Sequence, residues 1–136
     1  MKNASERVKI YQTGDAIVIF VLKDVLDDAE DFKGAIERAL KGNNGRIIID
    51  LSGARYVSAR VLGFIADGVR KARGKRRELK IVCPNPLLKR FLETIGICYA
   101  VEILASMEEA LHGLTDGILT PEKIILWKDS EAYARA

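Results

Sequence analysis

The sequence has few of the residues that metal sites, disulfide frameworks and hydrolytic active sites require. Among its 136 residues are two cysteines, Cys83 and Cys98, and one histidine, His112. Both cysteines lie among apolar residues, so we interpret them as small buried side chains and not as a disulfide or a metal knuckle. A single histidine argues against a zinc site and removes the usual general base of hydrolysis. We therefore expect no metal and no cofactor.

Long apolar runs are also missing. The longest, Ala16 to Leu22, is much shorter than the roughly 20 residues of a bilayer span. The N-terminus shows no pattern of a secretory signal, and we expect a cytoplasmic protein. With 49% apolar and 30% charged residues, the chain is not of the disordered class. Its length suits one domain with its own core.

Apolar periodicity predicts alternating strands and helices. Strand-like segments lie near residues 8–10, 16–22, 47–51, 79–83 and 100–104. Amphipathic helices are predicted over residues 29–40, 58–74, 86–95 and 107–114. In the third helix, the predicted inner face is Leu88, Phe91, Leu92 and Ile95. The order β-β-α-β-α-β-α-β-α indicates an α/β fold with helices packed on a mostly parallel sheet.

Helix ends are marked by capping residues. Ser58 is the best N-cap candidate of the second helix, and Asn85 can cap the third, with proline at its first position. Ser106 and Glu109 form a capping box before the fourth. Gly74 is expected to end the second helix.

Positive charge is concentrated in the middle of the chain, with thirteen Lys/Arg against four Asp/Glu in residues 41–100. The densest basic cluster is Arg70, Lys71, Arg73, Lys75, Arg76, Arg77 and Lys80. It could bind nucleic acid or another anion, but no aromatic residues are interleaved with it for base stacking. We favour an ordinary charged loop between a helix and a strand.

Residues 115–136 lie outside the alternating pattern. The run Ile124-Ile125-Leu126-Trp127 is too apolar to be left in water, and we expect this C-terminal extension to dock on its own domain. The alternative is a subunit contact, such as a homodimer, or a partner contact, with Trp127 as the anchor.

Several short motifs occur in a characteristic order. They are Asp50-Leu51-Ser52, Tyr56-Val57, Leu62-Gly63, Leu79-Lys80-Ile81-Val82, the helix 87–96, and Ser106-Met107-Glu108-Glu109-Ala110-Leu111. In this order and spacing the chain resembles the STAS domain of bacterial anti-sigma factor antagonists, over about residues 8–114. Before the first helix it departs from the family's Gly-Xaa-hydrophobic-Asp pattern.

The resemblance implies a single STAS-like domain, residues 1–114, followed by the extension. Its sheet would have four or five strands, with helices mainly on one face. It also implies a non-enzymatic regulatory module in signal transduction and transcription regulation. In the family, the unphosphorylated domain binds an anti-sigma factor that is also a serine kinase, and this releases the sigma factor. Phosphorylation of a serine at the start of the second helix reverses binding.

An ungapped match places Ser58 on the family's Asp and Ala59 on its phosphorylated serine. A shift by one residue would make Ser58 the phosphoacceptor, but it requires a deletion between Asp50 and Ser58. We favour Ser58 as an N-cap. Arg60 opposes the helix dipole, so an anion would compensate it, whether a phosphate, a partner carboxylate or a ligand; otherwise its side chain points into solvent.

The resemblance places the partner-binding site at the start of the second helix. Its candidate residues are Tyr56, Val57, Ser58, Ala59, Arg60, Leu62 and Gly63. Val57, Ala59 and Arg60 are expected to contact the partner, and Leu62 and Gly63 to pack and shape the helix.

Two other functions stay open. One is a constitutive STAS adaptor in a signalling or transport assembly, and the other is anion or nucleic-acid binding through residues 70–80. An enzyme is disfavoured because no set of nucleophile, base and orienting residue is present.

Overall fold

The computed structural model describes residues 8–22, 25–26, 29–97 and 101–113. The strands are β1 Val8–Thr13, β2 Ala16–Val21, β3 Val25–Leu26, β4 Arg46–Asp50, β5 Tyr56–Val57, β6 Glu78–Val82 and β7 Glu102–Leu104. The helices are α1 Ala29–Lys41, α2 Ala59–Gly74, α3 Pro86–Thr94 and α4 Met107–Gly113.

Five strands form one sheet in the order β1-β2-β4-β6-β7. The β1–β2 hairpin is antiparallel and turns at Gly14, whose φ of 57° suits glycine. The other three pairings are parallel, with Ile49 of β4 opposite Ile19 and Ile81. Parallel neighbours require crossover helices, and the chain supplies them. The predicted α/β fold, with its mostly parallel sheet, is confirmed.

The two faces of the sheet carry separate apolar clusters. Because side chains alternate along a strand, Ile47 and Ile49 of β4 belong to the larger cluster and Ile48 to the smaller one. Helices α1, α2 and α3 contribute to the larger cluster, whereas α4 packs on the smaller one through Met107 and Ala110. Helices therefore lie mainly on one face, as predicted.

A second, two-stranded sheet was not predicted. β3 pairs in parallel with β5, with Val25 opposite Tyr56 and Leu26 opposite Val57. Two residues are too few to show a period of two, so the sequence gives no sign of either strand. This pairing ties the segment before α1 to the segment immediately before α2.

The end of α2 differs in detail from the expectation. Gly74 is its last helical residue, but the left-handed residue is Arg76, with φ 58°. The Arg77 N–H donates to the Ala72 carbonyl (2.8 Å) and the Arg76 N–H to the Arg73 carbonyl (3.0 Å). This is a Schellman motif in which arginine occupies the position that glycine usually takes.

The predicted caps of the other helices are present. Asn85 Oδ1 accepts from the Leu87 and Leu88 N–H groups, and Ser106 Oγ accepts from the Glu109 N–H. Cys83 is a free, buried cysteine, and burial raises the pKa of its thiol to about 11. Cys98 and the extension 115–136 lie outside the described residues. Among the residues described, no helix is long and apolar enough to cross a bilayer.

Candidate protein-binding site

The loop between β4 and α2 is held rigidly against the sheet. Asp50 is almost fully buried, and its Oδ1 accepts from the Ser52 N–H at 2.9 Å. Burial raises the pKa of Asp50, and its hydrogen bonds with Ser52 partly oppose that shift. A Cβ added at Gly53 would lie 2.4 Å from the Val21 carbonyl oxygen, so only glycine fits. Asp50 therefore has a structural role, since it holds the loop that follows β4.

Ser58 is the N-cap of α2. Its backbone is extended (φ −75°, ψ 163°), and its Oγ accepts from the Val61 N–H at 3.2 Å. The side chain is half-buried. The hydroxyl therefore satisfies one of the four N–H groups that the helix start leaves open.

The remaining predicted site residues differ in their exposure to solvent. Tyr56, Ala59, Arg60 and Gly63 are exposed, and Leu62 is half-buried against the core. Val57 is fully buried in the larger cluster. The expectation that the Val57 side chain contacts a partner is wrong, because its place on β5 turns it into the core.

Arg60 has an anion within the chain. Its Nη2 lies 3.5 Å from Glu30 Oε2, at the start of α1, and both side chains are about 70% exposed. The pair joins the first turns of two helices, and Glu30 also suits the positive end of α1. Arg60 therefore has a counter-charge within the chain, and an ion pair this exposed contributes little to stability.

Phe91 and Ile95 were expected on the inner face of the third helix, but this is wrong, because both are exposed and form an outer apolar face of α3 together with Leu87. Leu88 and Leu92 are buried, but Leu87 is 78% exposed, Ile95 46% and Phe91 38%. The ring of Phe91 lies 6.2 Å, centroid to centroid, from the ring of Tyr56, which is itself 48% exposed. Through this ring contact the exposed side chains of α3 adjoin Tyr56 of β5, three residues before α2 begins.

We call this patch the α2–α3 surface. It consists of Tyr56, Ala59, Gly63, Leu87, Phe91 and Ile95. The sequence carries a signal for this surface. Leu87 and Ile95 are apolar in addition to the buried Leu88 and Leu92, so the apolar stripe of α3 is wider than packing requires.

The basic cluster is not a continuous positive patch. Asp67 pairs with Arg70 at 2.6 Å and with Lys71 at 3.0 Å, and both hold its carboxyl pKa below the usual value. Lys80 pairs with Glu102 on the neighbouring strand. Arg77 points inward and is buried. In the part of the chain described, no group of three His, Cys, Asp or Glu side chains could hold a metal ion.

The family model "Mlab, STAS domain" matches residues 20–104, more than half of the chain. No curated protein matches the sequence.

Solved structures share the fold. An anti-sigma factor antagonist from Mycobacterium paratuberculosis superposes with a TM-score of 0.71 at 19% identity, covering 78% of this chain and 91% of the other. Unphosphorylated SpoIIAA, an anti-sigma factor antagonist, gives 0.68 at 19% identity, with 83% and 99% covered. The phosphorylated SpoIIAA of Bacillus gives 0.61 at 18%, with 79% and 98% covered. The chain belongs to the STAS domain family, and its fold is that of anti-sigma factor antagonists.

Proposed function

We propose that this protein is a non-enzymatic regulatory module of the anti-sigma factor antagonist type, which binds a protein partner through the α2–α3 surface. The observation that carries the proposal is the exposed apolar face of Leu87, Phe91 and Ile95 beside Tyr56. Large apolar side chains grouped at one place on a soluble domain mark a protein-binding surface. Aromatic anchors of this kind commonly dominate the binding free energy.

The start of α2 supports the same surface. Ala59 and Gly63 are exposed and lie four residues apart, on one side of the helix. A Cβ added at Gly63 would meet no atom within 4 Å, so packing within the domain does not require glycine there. Glycine inside a helix costs up to about 1 kcal/mol relative to alanine. We attribute its presence to close approach of the partner's backbone.

The proposal includes a departure from the family's phosphorylation switch. On the ungapped match, residue 59 is alanine, and the neighbouring hydroxyl of Ser58 is the N-cap of α2. A phosphate on Ser58 would add about −1.5 to −2 charges to this surface. Since a helix N-terminus itself accommodates phosphate, such a modification would act on the interface and not on folding.

The partner-switching role and a constitutive adaptor role use the same surface, and Ser58 distinguishes them. The matched variants are Ser58→Asp and Ser58→Asn, because both side chains cap helices well and only the first is charged. In a switch regulated at Ser58, the Asp variant loses the partner and the Asn variant keeps it. A constitutive adaptor keeps the partner with both.

The proposal is tested by capture from the native cell with the tagged full chain, quantified by mass spectrometry. Leu87→Glu removes an exposed apolar contact and adds a charge, and we expect it to lose the specific partner. Gln12→Glu adds the same charge on the edge strand β1 and serves as the control. Recovery of one partner at equal amounts with wild type, Leu87→Glu and Gln12→Glu would refute the site. An anti-sigma factor with serine kinase activity among the lost proteins would support the switching role.

Binding of nucleic acid through residues 70–80 is the second alternative. The ion pairs of Arg70, Lys71 and Lys80 and the buried position of Arg77 argue against it. Nucleic-acid binding with a steep dependence on salt would favour it over the protein-binding proposal.

A further inference from the structure

A pocket of about 390 Å³ lies at the end of the sheet opposite the α2–α3 surface. It is formed where α1 and α2 end, by the loop of residues 42–45 and the turn of residues 75–77. Four basic side chains line it, Lys41, Lys75, Arg76 and Arg77, and its lining residues include no carboxylate.

Three of these cations differ from the other basic residues near this end. Arg46 lies 3.9 Å from Asp15 and 4.0 Å from Glu78, and the nearby side chains of α2 pair with Asp67. Within the described residues, by contrast, Lys41, Lys75 and Arg76 have no ion pair. Three cations without an ion pair therefore collect at the pocket, and Asp15 lies beside its loop, where it accepts from the Gly45 N–H at 3.3 Å.

Arg77 supplies a fixed positive charge. Its Nη1 donates to the Leu40 carbonyl at 2.9 Å and its Nε to the Asn44 carbonyl at 2.5 Å, so the guanidinium cannot rotate freely. Arg77 is only 9% exposed, and its buried Nη2 has no hydrogen-bond partner. Because Nη2 is closed off from solvent, Arg77 contributes a fixed positive charge behind the pocket wall and not a donor that faces a ligand.

The helix ends do not oppose an anion strongly at this place. The carbonyls at the end of α2 already accept from the N–H groups of Lys75, Arg76 and Arg77. Arg77 likewise occupies the Leu40 carbonyl of α1. The partial negative charge of both helix ends is therefore met by donors of the chain itself.

We propose that this pocket binds the phosphate group of a small phosphorylated molecule or of a lipid headgroup. Lys41, Lys75 and Arg76 offer mobile cations at the pocket, and Arg77 adds a fixed positive charge behind them. Phosphate suits this set because it accepts several charge-assisted hydrogen bonds at once. The site is independent of the α2–α3 surface, from which it is separated by the 16-residue helix α2, roughly 24 Å long.

The first test is a titration of the ¹⁵N-labelled full chain with inorganic pyrophosphate at low salt, followed by amide chemical shifts. We expect saturable shifts confined to residues 40–45 and 75–77. Lys75→Gln and Lys41→Gln should each weaken binding about tenfold, through loss of a charge-assisted contact. Arg70→Gln removes the same charge from a side chain paired with Asp67, and it should bind as wild type. Shifts spread over all basic residues, or equal losses in the three variants, would overturn the proposal.

The second test separates the two sources of phosphate. The same variants are sedimented with phosphatidylcholine vesicles that contain or lack phosphatidylglycerol. Binding of pyrophosphate without vesicle binding indicates a soluble ligand. Vesicle binding that needs phosphatidylglycerol and is lost in Lys75→Gln and Lys41→Gln, but kept in Arg70→Gln, indicates a headgroup. If neither probe binds in a manner that depends on Lys41 and Lys75, the pocket is not a phosphate site.

Discussion

Ser58 provides a prediction that separates its structural role from any regulatory one. Its Oγ accepts from the Val61 N–H at 3.2 Å, and the first turn of α2 contains no acidic residue that could compensate for its loss. In Ser58→Ala the Val61 N–H loses this acceptor. We expect a decrease of about 1 kcal/mol in the free energy of unfolding, within the usual 0.5–2 kcal/mol for a lost N-cap.

The assay is urea unfolding of wild type, Ser58→Ala, Ser58→Asn and Ser58→Asp, followed by circular dichroism. With an unchanged slope, a loss of about 1 kcal/mol lowers the midpoint of Ser58→Ala by about 0.5 M urea. Asn and Asp accept the same hydrogen bond, so those two variants should lie within about 0.5 kcal/mol of wild type. Asp gains a little because its charge favours the positive end of the helix.

The reasoning fails if Ser58→Ala is as stable as wild type. It also fails if Ser58→Asn is destabilised as much as Ser58→Ala, because the hydroxyl would then have a contact that a cap does not explain.

Three further predictions concern the backbone and a buried charge. Arg76→Gly should raise the free energy of unfolding by about 0.5–1 kcal/mol in urea titrations, because glycine adopts the left-handed conformation without strain. A lower free energy of unfolding in this variant would contradict the Schellman geometry. Gly53→Ala should lower it by about 2–3 kcal/mol, since its Cβ would meet the Val21 carbonyl oxygen at 2.4 Å; a neutral result would show that the loop shifts easily. Burial raises the pKa of Asp50 above its value in the unfolded chain, which is about 4. The free energy of unfolding therefore falls as pH rises from the unfolded pKa through the folded one. Asp50→Asn keeps an acceptor for the Ser52 N–H. Measured as unfolding midpoints between pH 4 and 7, the stability of this variant relative to wild type should increase with pH. A relative decrease would mean that the folded state favours the ionised carboxylate.

The main architecture could be predicted from the sequence because its elements are regular and long enough to show their period. The runs Ala16–Leu22 and Ile47–Leu51 predict buried strands, and both lie in the interior of the sheet. Caps were equally predictable, since Ser58, Asn85 and Ser106 act locally on N–H groups two or three residues away.

The details that were missed depend on contacts between distant parts of the chain. β3 and β5 are only two residues long each, and they pair across about 30 residues of sequence. Arg76 occupies the left-handed position of a turn whose next side chain, Arg77, donates to the Leu40 carbonyl of α1 and to the Asn44 carbonyl. Neither effect leaves a periodic signal.

The candidate site was predicted in part. The capping role of Ser58 and the exposure of Ala59 agree with the sequence interpretation. The expectation that Gly63 packs is wrong, because it is exposed with open space around it. Periodicity placed Phe91 and Ile95 in the core together with Leu92, because it cannot tell which edge of a wide apolar stripe the domain buries. Only the packing of α3 in the structure shows which of its apolar side chains are exposed.

The central claim, that the α2–α3 surface binds a protein partner, is tested most directly by Gly63→Ala. This substitution adds one methyl group to an exposed helical position with open space around it. It should stabilise the free domain by up to about 1 kcal/mol, so a loss of binding could not be ascribed to unfolding. The measurement is calorimetric titration of the partner recovered by capture, with unfolding midpoints recorded on the same samples. We predict a higher midpoint together with an affinity at least about tenfold weaker, equivalent to about 1.4 kcal/mol. An unchanged affinity in a stabilised Gly63→Ala variant would contradict the account.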